Sequence, residues 1–200
     1  MTVAKITDAE CYSVRANQEW ATIVLRCWQR PIAHGEIYHC GEILISSSFG
    51  SWAYIWTACA VPFKEFLREI EFDYAFGKFM GSKLHRHDGE ASLRAVRKHI
   101  CRMRREGSLS KDEAGEVWGL LDECCSQIEH GDDRDFGEAM QYIARYLDRS
   151  NRAREYFADA ADWHTCTCYD PQAVGFWKKL WAPFIAALAN QAAVQEVAHG

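Results

Sequence analysis

The chain has 200 residues, of which 48% are hydrophobic and 26% are charged, and its formal net charge is −5. This profile is typical of a globular protein and excludes a disordered or fibrous one. The longest apolar stretches, residues 43–45 and 183–189, fall far below the roughly 18 uncharged residues that a membrane-spanning helix needs. No apolar signal-peptide core follows Lys5. We therefore expect a cytoplasmic protein without a membrane partner.

The first 60 residues have the composition of β-strands. Runs rich in β-branched and aromatic residues occupy residues 12–14, 20–28, 36–46 and 51–56. Turn signals separate these runs at residues 16–18, 31–35 and 49–50. The pattern predicts three or four antiparallel strands, and Gly41 inside the third run indicates a β-bulge or a close backbone approach.

After residue 60 the apolar residues recur with helical spacing. Pro62 predicts the start of a first helix, and residues 90–105 form another. Two segments that resemble capping boxes, Ser110–Glu113 and Asp135–Glu138, predict the starts of the next two helices. Pro183 lies within the pattern of the last helix, which we expect to be kinked or broken near Trp181.

These elements predict an α+β fold, with a small N-terminal antiparallel β-sheet followed by a bundle of five or six α-helices. Residues 1–200 are predicted to form a single compact domain, β-rich over 1–60 and helical over 61–200. Each sheet face and each helix stripe needs an apolar partner, and packing the two against each other satisfies both.

The net charge conceals two neighbouring segments of opposite sign. Residues 83–105 carry a net charge of +6 and residues 106–170 a net charge of −10. The simplest interpretation is that the two segments solvate their own faces and partly neutralise each other across a helix pair.

The basic segment is also a candidate nucleic-acid surface, because several cations close together can neutralise several phosphates. Its members are Lys83, Arg86, Arg94, Arg97, Lys98, Arg102, Arg104 and Arg105. The acidic segment is a candidate surface for a basic partner, including a protein whose groove normally holds nucleic acid. Its members are Asp112, Glu113, Glu116, Asp122, Glu123, Glu129, Asp132, Asp133 and Asp135.

His164, Cys166 and Cys168 form a candidate metal cluster. Neutral imidazole and thiolate are the usual zinc ligands, and residues two apart in an extended segment point the same way. The spacing departs from the Cys-x2-Cys pattern of zinc knuckles, so a fourth ligand would have to come from Cys124, Cys125 or His130. The alternatives are ordinary packing of buried cysteines and a redox pair. Nine cysteines, an odd number that includes an adjacent pair, indicate reduced thiols rather than a disulfide scaffold.

No enzyme motif accompanies these residues. The phosphate-binding loop, the dinucleotide-binding glycine pattern and the nucleophile elbow are all missing from the sequence. His85, His87 and Asp88 could act as metal ligands or as an acid–base pair, but at the start of an arginine-rich helix they are typical of a solvated basic loop. We therefore expect a protein that is not an enzyme and needs no cofactor.

Eight tryptophans are many for a chain of this length, and four lie among the predicted strands at positions 20, 28, 52 and 56. Most are expected in the core. Any that remain exposed would make good anchors for a protein partner, because tryptophan dominates interface hot spots.

Residues 41–56, followed by 61–67 and 73–79, show a distinctive order of motifs. A strand ends in serines and an aromatic-glycine turn, a tryptophan-containing segment follows, and a Pro-Phe-Lys-Glu-Phe-Leu helix start precedes a Tyr-x-x-Gly-Lys element. This order resembles a group of short bacteriophage and prophage proteins, over about residues 36–80. The resemblance implies a viral accessory protein that acts by binding inside a bacterium, and it carries over no catalytic residues.

The resulting hypothesis is a phage or prophage accessory protein that binds and inhibits a host protein complex, in particular a bacterial defence system, as anti-CRISPR proteins do. One alternative is a nucleic-acid-binding protein that uses residues 83–105. A second alternative is a zinc-stabilised module or metalloenzyme built on the histidine–cysteine cluster.

Overall fold

The computed structural model describes residue 3 and residues 7–31, 37–147 and 151–199, the last range without the side chains of residues 151, 152 and 192–199. Most of the turn predicted at residues 31–35, and the predicted first residue of the third strand, Glu36, lie outside the described residues. None of the helices in these ranges is both long enough and apolar enough to cross a membrane.

Four antiparallel strands form one sheet in the order β1-β2-β3-β4, which confirms the predicted N-terminal sheet. They are β1 (Ala9–Ala16), β2 (Glu19–Pro31), β3 (Ile37–Ser47) and β4 (Gly50–Cys59). The β3–β4 register shifts between His39 and Gly41, so the predicted irregularity is a bulge. It is also a close approach, because a Cβ atom at Gly41 would lie 2.0 Å from the ring of Phe63.

Helices cover the inner face of this sheet, where Ala21, Ile23, Leu25, Ile43 and Ile45 are buried. Helices α1 (Phe63–Glu69) and α2 (Phe72–Met80) follow the sheet directly, and a 3-10 turn (Gly81–Leu84) ends this part of the chain. Apolar residues of the sheet and of these helices form one continuous core, which contains Trp52 and Trp56. Trp20 is 40% exposed, so it is not a core residue as most tryptophans were expected to be.

The C-terminal helical region returns to the same core. Helix α7 (Pro171–Phe176) leads through a π-helical turn (Trp177–Trp181) into α8 (Ala182–His199). The helix therefore continues through Pro183 and is not broken. The irregularity takes the form of the π-helical turn, which contains Lys179, the residue whose carbonyl the proline ring would crowd in a regular helix.

A second compact unit comprises His85–Tyr169. Strands β5 (His85–His87) and β6 (Thr167–Tyr169) pair at its two ends. Between them lie α3 (Gly89–Arg105), α4 (Lys111–His130), α5 (Asp133–Tyr146) and α6 (Asn151–His164), around their own apolar core.

The first unit ends at Leu84 and resumes at Asp170, so the units do not divide at residue 60 as the β-rich and helical parts do. The physical reason is that α1, α2 and the C-terminal helices belong with the sheet, whose inner face they cover. The single domain stays a prediction.

The ends of α4 and α5 show how local hydrogen bonding sets helix boundaries. The predicted capping box at Ser110 is present: its Oγ accepts from the amide of Glu113 at 3.2 Å, and the Glu113 carboxylate accepts in return. The predicted start at Asp135 is wrong by three residues. Asp132 is the N-cap, since its carboxylate accepts from the amides of Arg134 and Asp135, and Asp135 completes the box.

Candidate functional site

Several carboxylates of the acidic segment have partners within the second unit. Glu113, Asp132 and Asp135 belong to the two capping boxes. Asp122 pairs with Arg97 at 3.2 Å, and Glu123 accepts a hydrogen bond from the Tyr142 hydroxyl at 3.2 Å. The other members are Glu116, which is half-buried, and the exposed residues Asp112, Glu129 and Asp133. Most of the negative charge therefore lies at helix ends and at contacts between helices.

The basic segment is divided as well. Lys83 belongs to the first unit, whereas Arg86 lies on β5 opposite Cys168. Arg94 pairs with Glu90 one turn earlier at 3.2 Å, and Arg104 donates to the Leu109 carbonyl at 3.4 Å. Arg97 holds Asp122, as described above, and its guanidinium lies 5.7 Å from the Trp118 ring centroid. The predicted neutralisation across a helix pair therefore occurs at the Arg97–Asp122 pair.

Three cations of the segment, Lys98, Arg102 and Arg105, line a depression between α3 and α6. We call this depression the aromatic–basic cleft. Its lining consists of Lys98, His99, Arg102 and Arg105 of α3 together with Tyr156, Trp163 and His164 of α6. It has two adjoining parts of ≈ 320 and ≈ 510 Å³ that share His99, Arg102 and His164. Glu155 and Asp159 stand on the α6 side.

Helical spacing explains this lining. Lys98, Arg102 and Arg105 are four and three residues apart and so lie on one face of α3. The buried stripe of that helix, which contains Val96 and Ile100, faces the core. Tyr156 and Trp163 are seven residues apart, or about two turns of α6. The two helices therefore present a cationic row and an aromatic row to the same depression.

The floor of the cleft is an ordered stack. The His99 ring lies parallel to the Tyr156 ring, with centroids 4.0 Å apart and planes at 6°. The Tyr156 hydroxyl hydrogen-bonds Nε2 of His164. Nη2 of Arg102 lies 2.8 Å from Nδ1 of His99. Because a guanidinium can only donate, Nδ1 of His99 accepts, and the proton of the neutral ring resides on Nε2.

Burial sets the protonation states of the stack. It lowers the pKa of His99, and the nearby Arg102 cation and His164 lower it further. Burial and Arg102 likewise lower the pKa of His164, while burial raises the pKa of Tyr156. At neutral pH both imidazoles are therefore uncharged and the phenol keeps its proton. The positive charge of the cleft comes from the three α3 cations.

Trp163 is the most unusual residue of the cleft, because 74% of its surface is exposed, compared with 40% for Trp20. Neither Trp163 nor Tyr156 was among the residues that the sequence predicted to be functional. A signal for Trp163 was present in the sequence, because this tryptophan lies between the polar residues Asp162 and His164. The buried residues of its helix are Ala153, Phe157 and Ala160.

The predicted metal cluster is not assembled. His164 is the last residue of α6 rather than part of an extended segment, and only Thr167–Tyr169 are in strand conformation. Nε2 of His164 is taken by Tyr156, and the backbone amide of Cys166 donates to Ser92 Oγ at 2.9 Å. In the described ranges, no group of three or more His, Cys, Asp or Glu residues is placed to hold a metal ion. The expectation that the three residues converge is therefore wrong for this fold.

The predicted acid–base pair at the start of α3 is divided between two structural roles. Asp88 is the N-cap of α3 and accepts from the amide of Ala91 at 2.9 Å. The His87 ring lies 5.3 Å from that of Phe136. Both ring nitrogens of His87 are buried and have no hydrogen-bond partner among the described residues. His87 thus packs against Phe136, and the burial of its two ring nitrogens without hydrogen-bond partners lowers the stability of the fold.

We expect His87→Leu to raise the free energy of unfolding by about 1 kcal/mol, because leucine removes two buried polar atoms that lack partners. Urea denaturation of the two proteins measures the change. The matched control is His85→Leu, on the same strand but with an exposed side chain, which should change stability by less than about 0.5 kcal/mol. A loss of stability in His87→Leu would show that the imidazole has a partner in solution.

A family model described as a phage family matches residues 1–190. The match extends well beyond residues 36–80, where the sequence resemblance was found, and includes the helices of the cleft. No curated protein and no solved structure matches the chain.

Proposed function

Since the chain belongs to a phage protein family, we propose that it is a phage accessory protein that binds nucleic acid in the aromatic–basic cleft. The observation that carries the proposal is the row of α3 cations beside the exposed Trp163. In this proposal the protein acts by binding in the host cytoplasm, needs no cofactor and catalyses no reaction.

The state of the α3 cations supports phosphate as their ligand. Lys98 and Arg105 form no ion pair with any residue in the described part of the chain, and Arg102 donates a hydrogen bond to the neutral ring of His99. Seven residues of helix separate Lys98 from Arg105, or about 10 Å at 1.5 Å per residue. A strand carries one phosphate charge per nucleotide, so cations spread over this distance can contact consecutive phosphates. The row can therefore follow a short stretch of one phosphate backbone.

A binding titration tests the proposal. Fluorescence anisotropy of a fluorescein-labelled 20-nucleotide oligonucleotide is followed with the wild type and with Lys98→Glu/Arg105→Glu, over a range of salt concentrations. The wild type should bind at low salt and lose affinity as salt rises, because phosphate contacts release counterions. The double variant should bind at least about tenfold more weakly, with a salt slope smaller by about 1.4 for two lost contacts to a single strand.

Arg68→Glu/Lys178→Glu is the matched control. It makes the same change in net charge at one exposed arginine and one exposed lysine outside the cleft, and it should retain wild-type binding. Reversal of Arg97 and Arg104 would be a poor test, since both hold other parts of the second unit together. The proposal is overturned if the wild type does not bind at low salt, or if both double variants lose affinity equally.

A second candidate is inhibition of a host protein complex, in particular a bacterial defence system. It is supported by membership of the phage family and by the exposed carboxylates of Asp112, Glu129 and Asp133. In the described residues these three carboxylates form no ion pair, so they are available to a basic partner.

Phage plating tests this candidate. Expression of the protein in a bacterium with an active CRISPR system should restore plaques of a targeted phage. Asp112→Lys/Glu129→Lys/Asp133→Lys should abolish the restoration, while Lys98→Glu/Arg105→Glu should retain it. Absence of restoration by the wild type across CRISPR types, or restoration that survives the triple variant, would contradict inhibition through these carboxylates.

A further inference from the structure

We propose that the aromatic–basic cleft selects single-stranded nucleic acid, and that Trp163 provides the platform on which an unpaired base stacks. The inference rests on the proposed function and specifies its ligand class.

An aromatic ring is exposed where a nucleotide would lie. Trp163 lines the ≈ 510 Å³ part of the cleft together with Arg102, and 74% of its surface is exposed. The face of an indole ring is apolar and forms no hydrogen bonds with water. A nucleic-acid base can stack on this face, since every base has a π-face. In a duplex the base faces are already stacked on one another, so only an unpaired base can use this ring.

The two walls of the cleft carry opposite charges. The α3 wall carries Lys98, Arg102 and Arg105, whereas the α6 wall carries Glu155 and Asp159. A single strand can place its phosphates along α3 and its bases towards the aromatic residues of α6. A duplex has two phosphate backbones, and the second would approach the carboxylates. Repulsion between like charges therefore disfavours the duplex.

Hydrogen bonds hold the floor of the cleft in place. The stacked rings of His99 and Tyr156 are held by the bonds from Arg102 to His99 and between Tyr156 and His164. Both imidazoles are neutral at pH 7, as described above, so the floor is flat and uncharged while the cations stand at its edge. This arrangement combines a stacking surface with a row of phosphate ligands, as in other sites for single strands.

The test compares one oligonucleotide in two states. Anisotropy titrations use a fluorescein-labelled 20-nucleotide strand of mixed sequence, alone and annealed to its complement, with the wild type, Trp163→Ala and Trp163→Phe. We expect the wild type to bind the single strand at least about tenfold more tightly than the duplex. Trp163→Ala should lose about 5- to 150-fold in affinity for the single strand. Trp163→Phe should recover most of that loss, and neither variant should alter duplex binding by more than about twofold.

The control is Trp20→Ala, which removes another partly exposed tryptophan, outside the cleft, and should leave both affinities unchanged. Equal binding of single strand and duplex, or full single-strand affinity in Trp163→Ala, would overturn the inference. If either result were obtained but Lys98→Glu/Arg105→Glu still weakened binding, the proposed function would be retained and the stacking role of Trp163 would be rejected. If no strand bound, both would fall.

Discussion

Replacement of Gly89 by alanine is expected to lower the free energy of unfolding by about 3 kcal/mol, at the upper end of the range for an overpacked contact. Gly89 is the first residue of α3 and is buried. A Cβ atom there would lie 2.0 Å from the carbonyl oxygen of Ile128 and 2.8 Å from Cα of Glu129. Both atoms are backbone at the end of α4, so the clash cannot be relieved by a side-chain rotation.

The substitution should also affect the aromatic–basic cleft, because α3 carries the cations of that cleft. A displacement of α3 from α4 should also weaken oligonucleotide binding. The matched control is Gly119→Ala inside α4, where a Cβ atom meets nothing within 4 Å; helix propensity alone should stabilise that variant by up to about 1 kcal/mol. Urea denaturation measures both changes. Wild-type stability in Gly89→Ala would show that α3 and α4 leave room for a methyl group at this contact.

We expect Phe76→Ala to cost about 3–5 kcal/mol of stability, the usual range for removal of a buried phenylalanine. The side chain is 0% exposed. Its ring centroid lies 5.1 Å from that of Trp52 and 5.2 Å from that of Phe72, with Phe79 and Phe176 also in contact. The cavity that alanine leaves is surrounded by rigid rings, which cannot collapse into it.

Phe76→Leu is the graded control, since leucine fills most of the volume and should cost clearly less than alanine. Tryptophan fluorescence during urea denaturation reports both variants, because Trp52 contacts the ring directly. A loss below about 1 kcal/mol in Phe76→Ala would mean that this cluster of aromatic residues does not form the core of the first unit.

The four strands of the sheet and several helix starts could be predicted because their signals are local, whereas α6, β5 and β6 were not predicted. Alternating β-branched and aromatic residues mark β1 to β4, and Ser110 with Glu113 marks the start of α4. The start of α5 was misplaced because Asp132-Asp135 and Asp135-Glu138 share the same spacing. Only the folded backbone decides between them, since α4 ends at His130 and leaves Asp132 as the first residue able to cap the next helix.

The division into two units could not be predicted in the same way. It depends on the return of the chain at Asp170 to the core of the sheet, and on the pairing of β5 with β6 across about 80 residues. These are contacts between segments far apart in sequence, and the composition of neither segment specifies them. The change from strand-like composition to helical spacing at residue 60 marks a change of secondary structure and not a boundary between the two hydrophobic cores.

The site was predicted in part. The sequence identified the basic segment that contains Lys98, Arg102 and Arg105, but a sum of charges could not show that Arg97 and Arg104 serve the fold. It also could not show that α6 brings Trp163 and Tyr156 to the same place, more than 50 residues later. His164 was singled out for zinc, and its contact with Tyr156 became visible only in the folded unit.

Hydrogen–deuterium exchange with and without the 20-nucleotide single strand tests the central claim most directly, because it locates the ligand on the chain. We predict slower exchange in peptides that cover residues 95–105 and 155–164, with no change over residues 111–130, which contain most of the acidic segment. Protection confined to the acidic segment or to the sheet, in a complex that demonstrably forms, would contradict binding in the aromatic–basic cleft.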